Sequence, residues 1–330
     1  MNSATLPTTQ IAAIRYFADE AVCHEFLSQM RWGGAVQCAH CQSEQVGALV
    51  VSVVKSRSKK ADAKPTTRRL WNCKACKKQF TVKTGTIFED SALGLEKWLP
   101  AVWMICNAKN GVSSCELARS LGVTQKSAWF MGHRIRLAMR EGGFNMSGTV
   151  EADETYIGPK ASRMNKAARA KKVIQPGTGS KIAVQGMLER SDKPQQSRVA
   201  LEILDATTTP AMQHHVRNRV EKGAEIFTDA HHSYMSLSDE YKHAFIDHAV
   251  TYAAGRVHTN GLENFWSLLK RTLKGTYVAV APFHLFRYLD EQATRFNERS
   301  ADDLTRFLST MNRVKGRRLP YVDLTNIGLY

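Results

Sequence analysis

The sequence lacks any uncharged apolar run of the roughly 18 residues that a membrane-spanning helix requires, and its N-terminus carries no signal-peptide pattern. These absences exclude an embedded membrane protein and predict a soluble, cytoplasmic chain. There is no internal repeat and no long low-complexity tract, which sets repeat architectures aside. Acidic residues are few: 30 Asp and Glu face 46 Lys and Arg, a formal charge of +16. That balance favours a polyanionic partner, nucleic acid first, over a small neutral substrate. The cysteines number seven, an odd count, and without a secretory signal reduced thiols or metal ligands are expected in place of disulfides. What is present suffices for a packed core: 43% of 330 residues are hydrophobic, room for two or three domains.

Patterning changes along the chain mark the boundaries. Residues 10–30 carry apolar positions at helical spacing until Trp32-Gly33-Gly34 breaks them. A ribbon-like segment follows to about residue 85. Residues 93–140 hold three helical stretches, separated at Asn110-Gly111 and at Leu121-Gly122-Val123. From Thr149 short β-branched runs take over, TVEADETYI, KIAVQGML, RVALEIL and AEIFTD, which predict a sheet. Between the first two runs, residues 159–181 carry seven basic residues and no acid, a candidate mobile basic loop. Two amphipathic helices are expected around 260–274 and 282–299.

Four of the cysteines form two Cys-x-x-Cys pairs, Cys38/Cys41 and Cys73/Cys76. Each pair sets two thiolates on a tight turn, and two converging turns give the closed tetrahedral site of structural Zn²⁺. The 31 residues between Cys41 and Cys73 exceed what a compact ribbon needs, the excess being the polar excursion KSRSKKADAKPTTRR. Trp71 and Phe80 supply apolar packing for so small a unit. Four free cysteines are the alternative, and His40 inside the first turn is a poor substitute ligand. Residues 55–83 hold eleven Lys or Arg and one acid, Asp62, consistent with phosphate binding or with a solvated lysine-rich loop.

The segment GVSSCELARSLGVTQKSAWFMGHRIRLAMR places Leu117, Ala118 and Leu121 on one helix face and Val123, Trp129 and Ile135 beyond a short turn, the spacing of a helix-turn-helix. Thr124 would cap the second helix. Gln125 and Lys126 would stand at its exposed first turn, where recognition helices reach base edges, with Arg134 and Arg136 available for phosphates. An ordinary helical hairpin has the same spacing.

Phosphoryl transfer needs divalent cations about 4 Å apart, and clustered carboxylates are what holds hard Mg²⁺ there. In VEADETYI, strand alternation puts Glu151, Asp153 and Thr155 on one face and Ala152, Glu154 and Tyr156 on the other. Asp153 is the candidate ligand; Glu151 and Glu154 also fit a solvated strand face. Asp229 ends the apolar run 224–229, where it can enter a cleft or cap a following helix. In HTNGLENFWSLLKR, a helix sets Asn260, Glu263, Ser267 and Lys270 on one polar face and Leu262, Phe265, Trp266, Leu269 and Leu273 on an apolar stripe. Asn260 and Glu263 equally fit a capping box.

Taken together these segments resemble the ISXO-like bacterial insertion-sequence transposases of the DDE type. The resemblance rests on both Cys-x-x-Cys pairs, TGTIFEDSALGLEKW at 84–98, the helix-turn-helix, VEADETYIG at 150–158, TDAHHSY at 228–234, HTNGLENFWSLLKR at 258–271 and GTYVAVAPFHLFRYLDEQATRFNER at 275–299. It implies an α/β fold, with an RNase H-like catalytic core preceded by a small zinc ribbon and a helix-turn-helix. The implied boundaries are an N-terminal helical segment 1–30, ribbon 31–85, helix-turn-helix region 86–147, catalytic domain 148–300 and a C-terminal tail 301–330. Asp153 and Asp229 would be the first two catalytic, Mg²⁺- or Mn²⁺-binding acids. Members differ over Asn or Glu at the third position, so Asn260 and Glu263 are carried together, with Glu263 as the carboxylate and Lys270 and Arg271 on the DNA backbone. Two positions depart from the family: Pro159 replaces a frequent glycine, and Val278 stands where a histidine commonly follows Gly-Thr-Tyr.

The activity so implied is metal-dependent cleavage and strand transfer of double-stranded DNA, at element ends recognised by the ribbon and helix-turn-helix and in a target, by a homodimer or larger homo-oligomer. The rival is a non-catalytic DNA-binding regulator derived from a transposase. A zinc hydrolase using His231, His232 and His258 lacks recognisable ligand spacing.

Overall fold

In the computed structural model the described residues are 6–53, 66–158, 181–230, 232–246 and 255–325. Most of the basic excursion before Cys73 and the basic loop up to residue 180 lie outside them. The chain forms two compact units, Met1–Asn107 with Ser114–Ala138 and Asp303–Leu329, and Ala108–Ser113 with Met139–Asp302.

In the first unit the helical stretch expected over 10–30 is broken into α1 (Gln10–Tyr16) and α2 (Glu20–Trp32). Asp19 causes the break: in extended backbone, it accepts the Ala21 N–H at 2.6 Å and caps α2. Gly33, at φ 65°, ends α2 by returning its N–H to Gln29. An antiparallel sheet follows in the order β1 (Val46–Val53), β2 (Thr66–Cys73), β3 (Gln79–Phe80). Helix α3 (Leu95–Asn107) buries Trp98, Leu99, Val102 and Trp103, and α9 (Asp303–Asn312) packs along it. Residues 301–330, expected as a tail, are therefore in part core. Phe307 of α9 is fully buried, with ring centroids 5.1 to 5.7 Å from Trp103, Phe17 and Phe26. Helices α4 (Ser114–Leu121) and α5 (Gln125–Met139) flank a turn in which Gly122 takes φ 62°, a conformation that favours glycine.

The second unit is a five-stranded sheet in the order β6-β5-β4-β7-β8: β6 (Arg198–Leu204), β5 (Ile182–Glu189), β4 (Thr149–Ile157), β7 (Glu225–Asp229) and β8 (Lys242–Ile246). The first three are antiparallel; β7 and β8 run parallel to β4, which is central. Strand alternation sorts the core into two layers. Val150, Ala152, Ala183 and Met187 face α6 (Thr209–Arg219), with Met212 and Val216. Val184 and Leu188 face α7 (Asn260–Thr272) and α8 (Leu285–Asn297), with Leu262, Phe265, Trp266 and Leu289. Sheet and helices thus make three layers, and the even and odd residues of β4 serve different sides.

Candidate active site and metal centre

The sulfurs of Cys38, Cys41, Cys73 and Cys76 all lie within 4.8 Å of one another, and among the described residues this is the one group of three or more potential metal ligands so close. Two matching turns produce it. Cys38 accepts the Gln42 N–H at its carbonyl and the His40 N–H at its sulfur; Cys73 accepts Lys77 N–H and Cys76 N–H in the same way. Gln42 and Lys77, four residues after each first cysteine, both adopt φ near 60°. Donation from the Cys76 N–H, with Ala75 adding to it, lowers the Cys73 thiol, while hydrogen bonds from the neighbouring thiols raise Cys41, so the four sulfurs share their protons as one group. Soft donors in a compact set of four fit Zn²⁺. His40 stays outside the set, its Nε2 3.4 Å from the Gln79 carbonyl. Trp71 stacks on Phe80 at 5.8 Å and on His24 at 5.2 Å, so the packing expected around the ribbon forms.

Three elements carry the candidate acids: Asp153 is in mid-β4, Asp229 ends the adjacent β7, and Glu263 lies in the first turn of α7. Burial first, with the charges of Asp229 and Glu263 adding to it, raises the Asp153 carboxyl to about 6, against the lowering effect of a Trp266 Nε1–H bond of 2.8 Å to Oδ2. The three carboxylates therefore share one electrostatic neighbourhood. Their oxygens do not form a preassembled cage within 4.8 Å, in keeping with unneutralised like charges. An all-oxygen set of mutually repelling acids fits a hard divalent cation.

The neighbours of Asp153 are not solvated strand acids. Glu154 points to the α6 side, accepts from the Tyr234 hydroxyl at 3.0 Å, and is raised to about 7 by burial and then by Asp229. Tyr234, fully buried, also accepts from Gln185 Nε2 at 3.2 Å. Glu151 is 1% exposed and accepts the Leu262 N–H at 2.9 Å. Sequence alternation assigns both acids their faces correctly; what it misses is the partners, which are distant in sequence.

On α7 the polar face of Asn260, Glu263, Ser267 and Lys270 is exposed and the apolar stripe is buried. Thr259 is the N-cap, so Asn260 sits one place inside the helix and the Asn-Glu capping box does not form. Lys270 and Arg271 are exposed near the C-terminal end. Of the expected recognition residues, Gln125 and Lys126 are exposed in the first turn of α5, where Thr124 accepts the Ser127 N–H at 3.2 Å. Gln125 donates to Ser114 Oγ at 2.8 Å, and Lys126 Nζ lies 4.9 Å from the Tyr321 ring.

Arg134 and Arg136 correct the sequence reading: at 3% and 4% exposure neither is available to a phosphate. Arg134 instead donates to the carbonyls of Leu319, Ile87 and Glu89, at 3.0, 2.9 and 2.6 Å. The second helix is long enough to carry this part of α5 into the core of its unit, so position on the helix past its first turns does not mean access to solvent. Of the three histidines weighed for a hydrolase, His231 lies outside the described residues, and neither His232 nor His258 belongs to a ligand cluster among those described. No helix among the described residues is long and apolar enough to cross a membrane.

Comparison with known proteins gives two family matches, an ISXO2-like transposase domain over residues 145–297 and a transposase zinc-ribbon domain over residues 18–79. Together they cover about two thirds of the chain and take in the three acid-bearing elements and all four clustered cysteines. A curated relative, an uncharacterized protein in the transposable element ISH50 of Halobacterium salinarum, is 26% identical over 269 residues, covering 79% of this chain and 85% of that protein.

Proposed function

Because the chain belongs to the ISXO2-like transposase family, we propose that it catalyses metal-dependent cleavage and strand transfer of the DNA of its own insertion sequence. The observation that carries the reading is the convergence of Asp153, Asp229 and Glu263, from two adjacent strands and one helix, on a single electrostatic neighbourhood. A mixed sheet with its acid-bearing strand at the centre and helices on both faces supports an RNase H-like core.

In this reading Asp153, Asp229 and Glu263 hold Mg²⁺ or Mn²⁺, which when bound activates water or a DNA 3′-hydroxyl and stabilises the leaving oxygen. Trp266 orients the Asp153 carboxylate by donating its indole N–H to Oδ2. Glu263, as an exposed carboxylate, is the third ligand in preference to Asn260, a weaker neutral donor at the helix start. Lys270 and Arg271 hold the DNA backbone, and the basic ribbon with Gln125 and Lys126 of a helix-turn-helix binds the terminal inverted repeats. Two ends must be brought together, so the working form is at least a dimer.

The test is cleavage of a DNA carrying the element's ends, with Mg²⁺ or Mn²⁺, by wild type and Asp153→Asn. Metal-dependent cleavage that disappears in the variant while end binding persists supports the reading. End binding by wild type without cleavage at any cation concentration moves the function to a DNA-binding regulator.

A further inference from the structure

We propose that Glu151 is a positioning residue: through Leu262 and Arg190 it sets where α7 delivers Glu263 to Asp153 and Asp229. This rests on the transposase reading of those acids and concerns a carboxylate that reading does not use.

Glu151 precedes Asp153 by two residues and shares its face of β4. Both of its oxygens are engaged, Oε2 by the Leu262 N–H at 2.9 Å and Oε1 by Arg190 Nε at 2.7 Å. At 1% exposure the carboxylate is held inside the protein, away from solvent and substrate. Asp153, one strand repeat on, accepts from Trp266, which is one helical turn beyond Leu262. Two strand residues span about 6.7 Å and four helical residues about 6 Å, so the two bonds attach α7 to β4 side by side. Glu263 follows directly on Leu262, at the end of the helix this attachment fixes.

Arg190, just past β5, extends the hold to the chain entering α7. It donates to the carbonyls of Arg256 at 2.8 Å and His258 at 2.6 Å, and its Nη2 lies 2.6 Å from His258 Nδ1. Its guanidinium sits 4.9 Å over the Phe227 ring of β7. One guanidinium thus ties β4, β7 and the α7 entry together, and pairs the buried Glu151 charge that would otherwise be costly.

Two glycines show how close the approach is. A Cβ on Gly261 would stand 2.9 Å from Glu151 Oε2, and one on Gly186, the β5 partner of Asp153, would stand 2.6 Å from Trp266 Cζ2. A glycine at each place lets α7 lie near enough for both bonds. The Glu151 carboxylate also faces the positive end of the helix dipole, which favours its charge there.

The experiment uses the full chain loaded with zinc, Mn²⁺ as the probe, binding followed by the electron paramagnetic resonance of free Mn²⁺, and circular dichroism as a check of fold. Glu151→Ala is expected to lower Mn²⁺ affinity by roughly 10- to 100-fold, as loss of a residue that orients a ligand does. Glu151→Gln, whose amide oxygen still accepts from Leu262, is expected to restore part of it. Gly261→Ala, which forces the helix start away from Glu151, is expected to weaken Mn²⁺ binding in the same direction, and decides alone if Glu151→Ala fails to fold. A folded Glu151→Ala or Gly261→Ala that binds Mn²⁺ as wild type does, whatever its melting temperature, overturns the proposal. Wild type binding no Mn²⁺ removes the transposase reading itself, a different failure from that of the positioning role.

Discussion

In the ribbon, four sulfurs stand within 4.8 Å of one another on two turns built by local backbone bonds; in the sheet domain, Asp153, Asp229 and Glu263 arrive from three elements, and the charges of the latter two add to the burial that raises the Asp153 carboxyl. The difference follows from chemistry. Neutral or singly ionised thiols on short turns can be gathered by hydrogen bonds within a few residues, whereas clustered carboxylates repel until a cation neutralises them. A closed soft-donor set suits a metal that holds structure. An open hard-donor set suits one that must admit water, a phosphodiester and a hydroxyl.

The comparison is broken most completely by Asp229→Asn, expected to reduce end cleavage to background while zinc content and end binding stay at wild-type levels. Cleavage surviving in that variant would remove Asp229 from the site. The converse change, Cys73→Ser, is expected to lose zinc and with it the ribbon's folding free energy, on the order of 10 kcal/mol for structural zinc sites; zinc analysis and the circular dichroism of the ribbon check it.

A packing change comes next. Phe307→Ala removes a ring shared by Trp103, Phe17 and Phe26, and is expected to cost about 3–5 kcal/mol in denaturant unfolding. A cost near zero would return residues 301–330 to the status of a tail.

Acidity sharpens the contrast further. Folding raises Asp153 from 3.8 to about 6 and Glu154 from 4.5 to about 7, so the folded state favours their protonated forms. That contribution to stability is fully present below about pH 4 and is lost as pH rises through about 6 to 7. Bound Mn²⁺ offsets the loss, so it should raise the melting temperature more at about pH 8 than at about pH 5. An equal rise at both would mean that Asp153 does not meet the cation. The smallest expected effect is that of Lys270→Ala, which should weaken DNA binding and reduce the salt slope by about 1, while Arg134→Ala leaves the slope alone and destabilises the fold.

What could be read from the sequence was local in origin. Strand alternation gave the faces of Glu151, Asp153 and Glu154, helical spacing gave the α7 stripe, and Cys-x-x-Cys spacing gave the ribbon cluster. What escaped depends on contacts between distant residues: Arg134 with Leu319, 185 positions apart, and Glu151 with Leu262, 111 apart. An arginine on an exposed-looking helix and an acid on a strand carry no local sign that a carbonyl or an N–H from elsewhere will claim them. The burial of α9 escapes the sequence for the same reason, since Phe307 finds its partners about 200 to 290 positions earlier.

The central claim, one closed zinc site for structure and one open acidic site for chemistry, is tested most directly by titrating zinc-loaded protein, stripped of other cations, with Mn²⁺ in the presence of a cleavable element end. The account predicts no cleavage with zinc alone, and cleavage that rises with Mn²⁺ while bound zinc stays constant. Cleavage supported by zinc alone, or absent at every Mn²⁺ concentration, would contradict it.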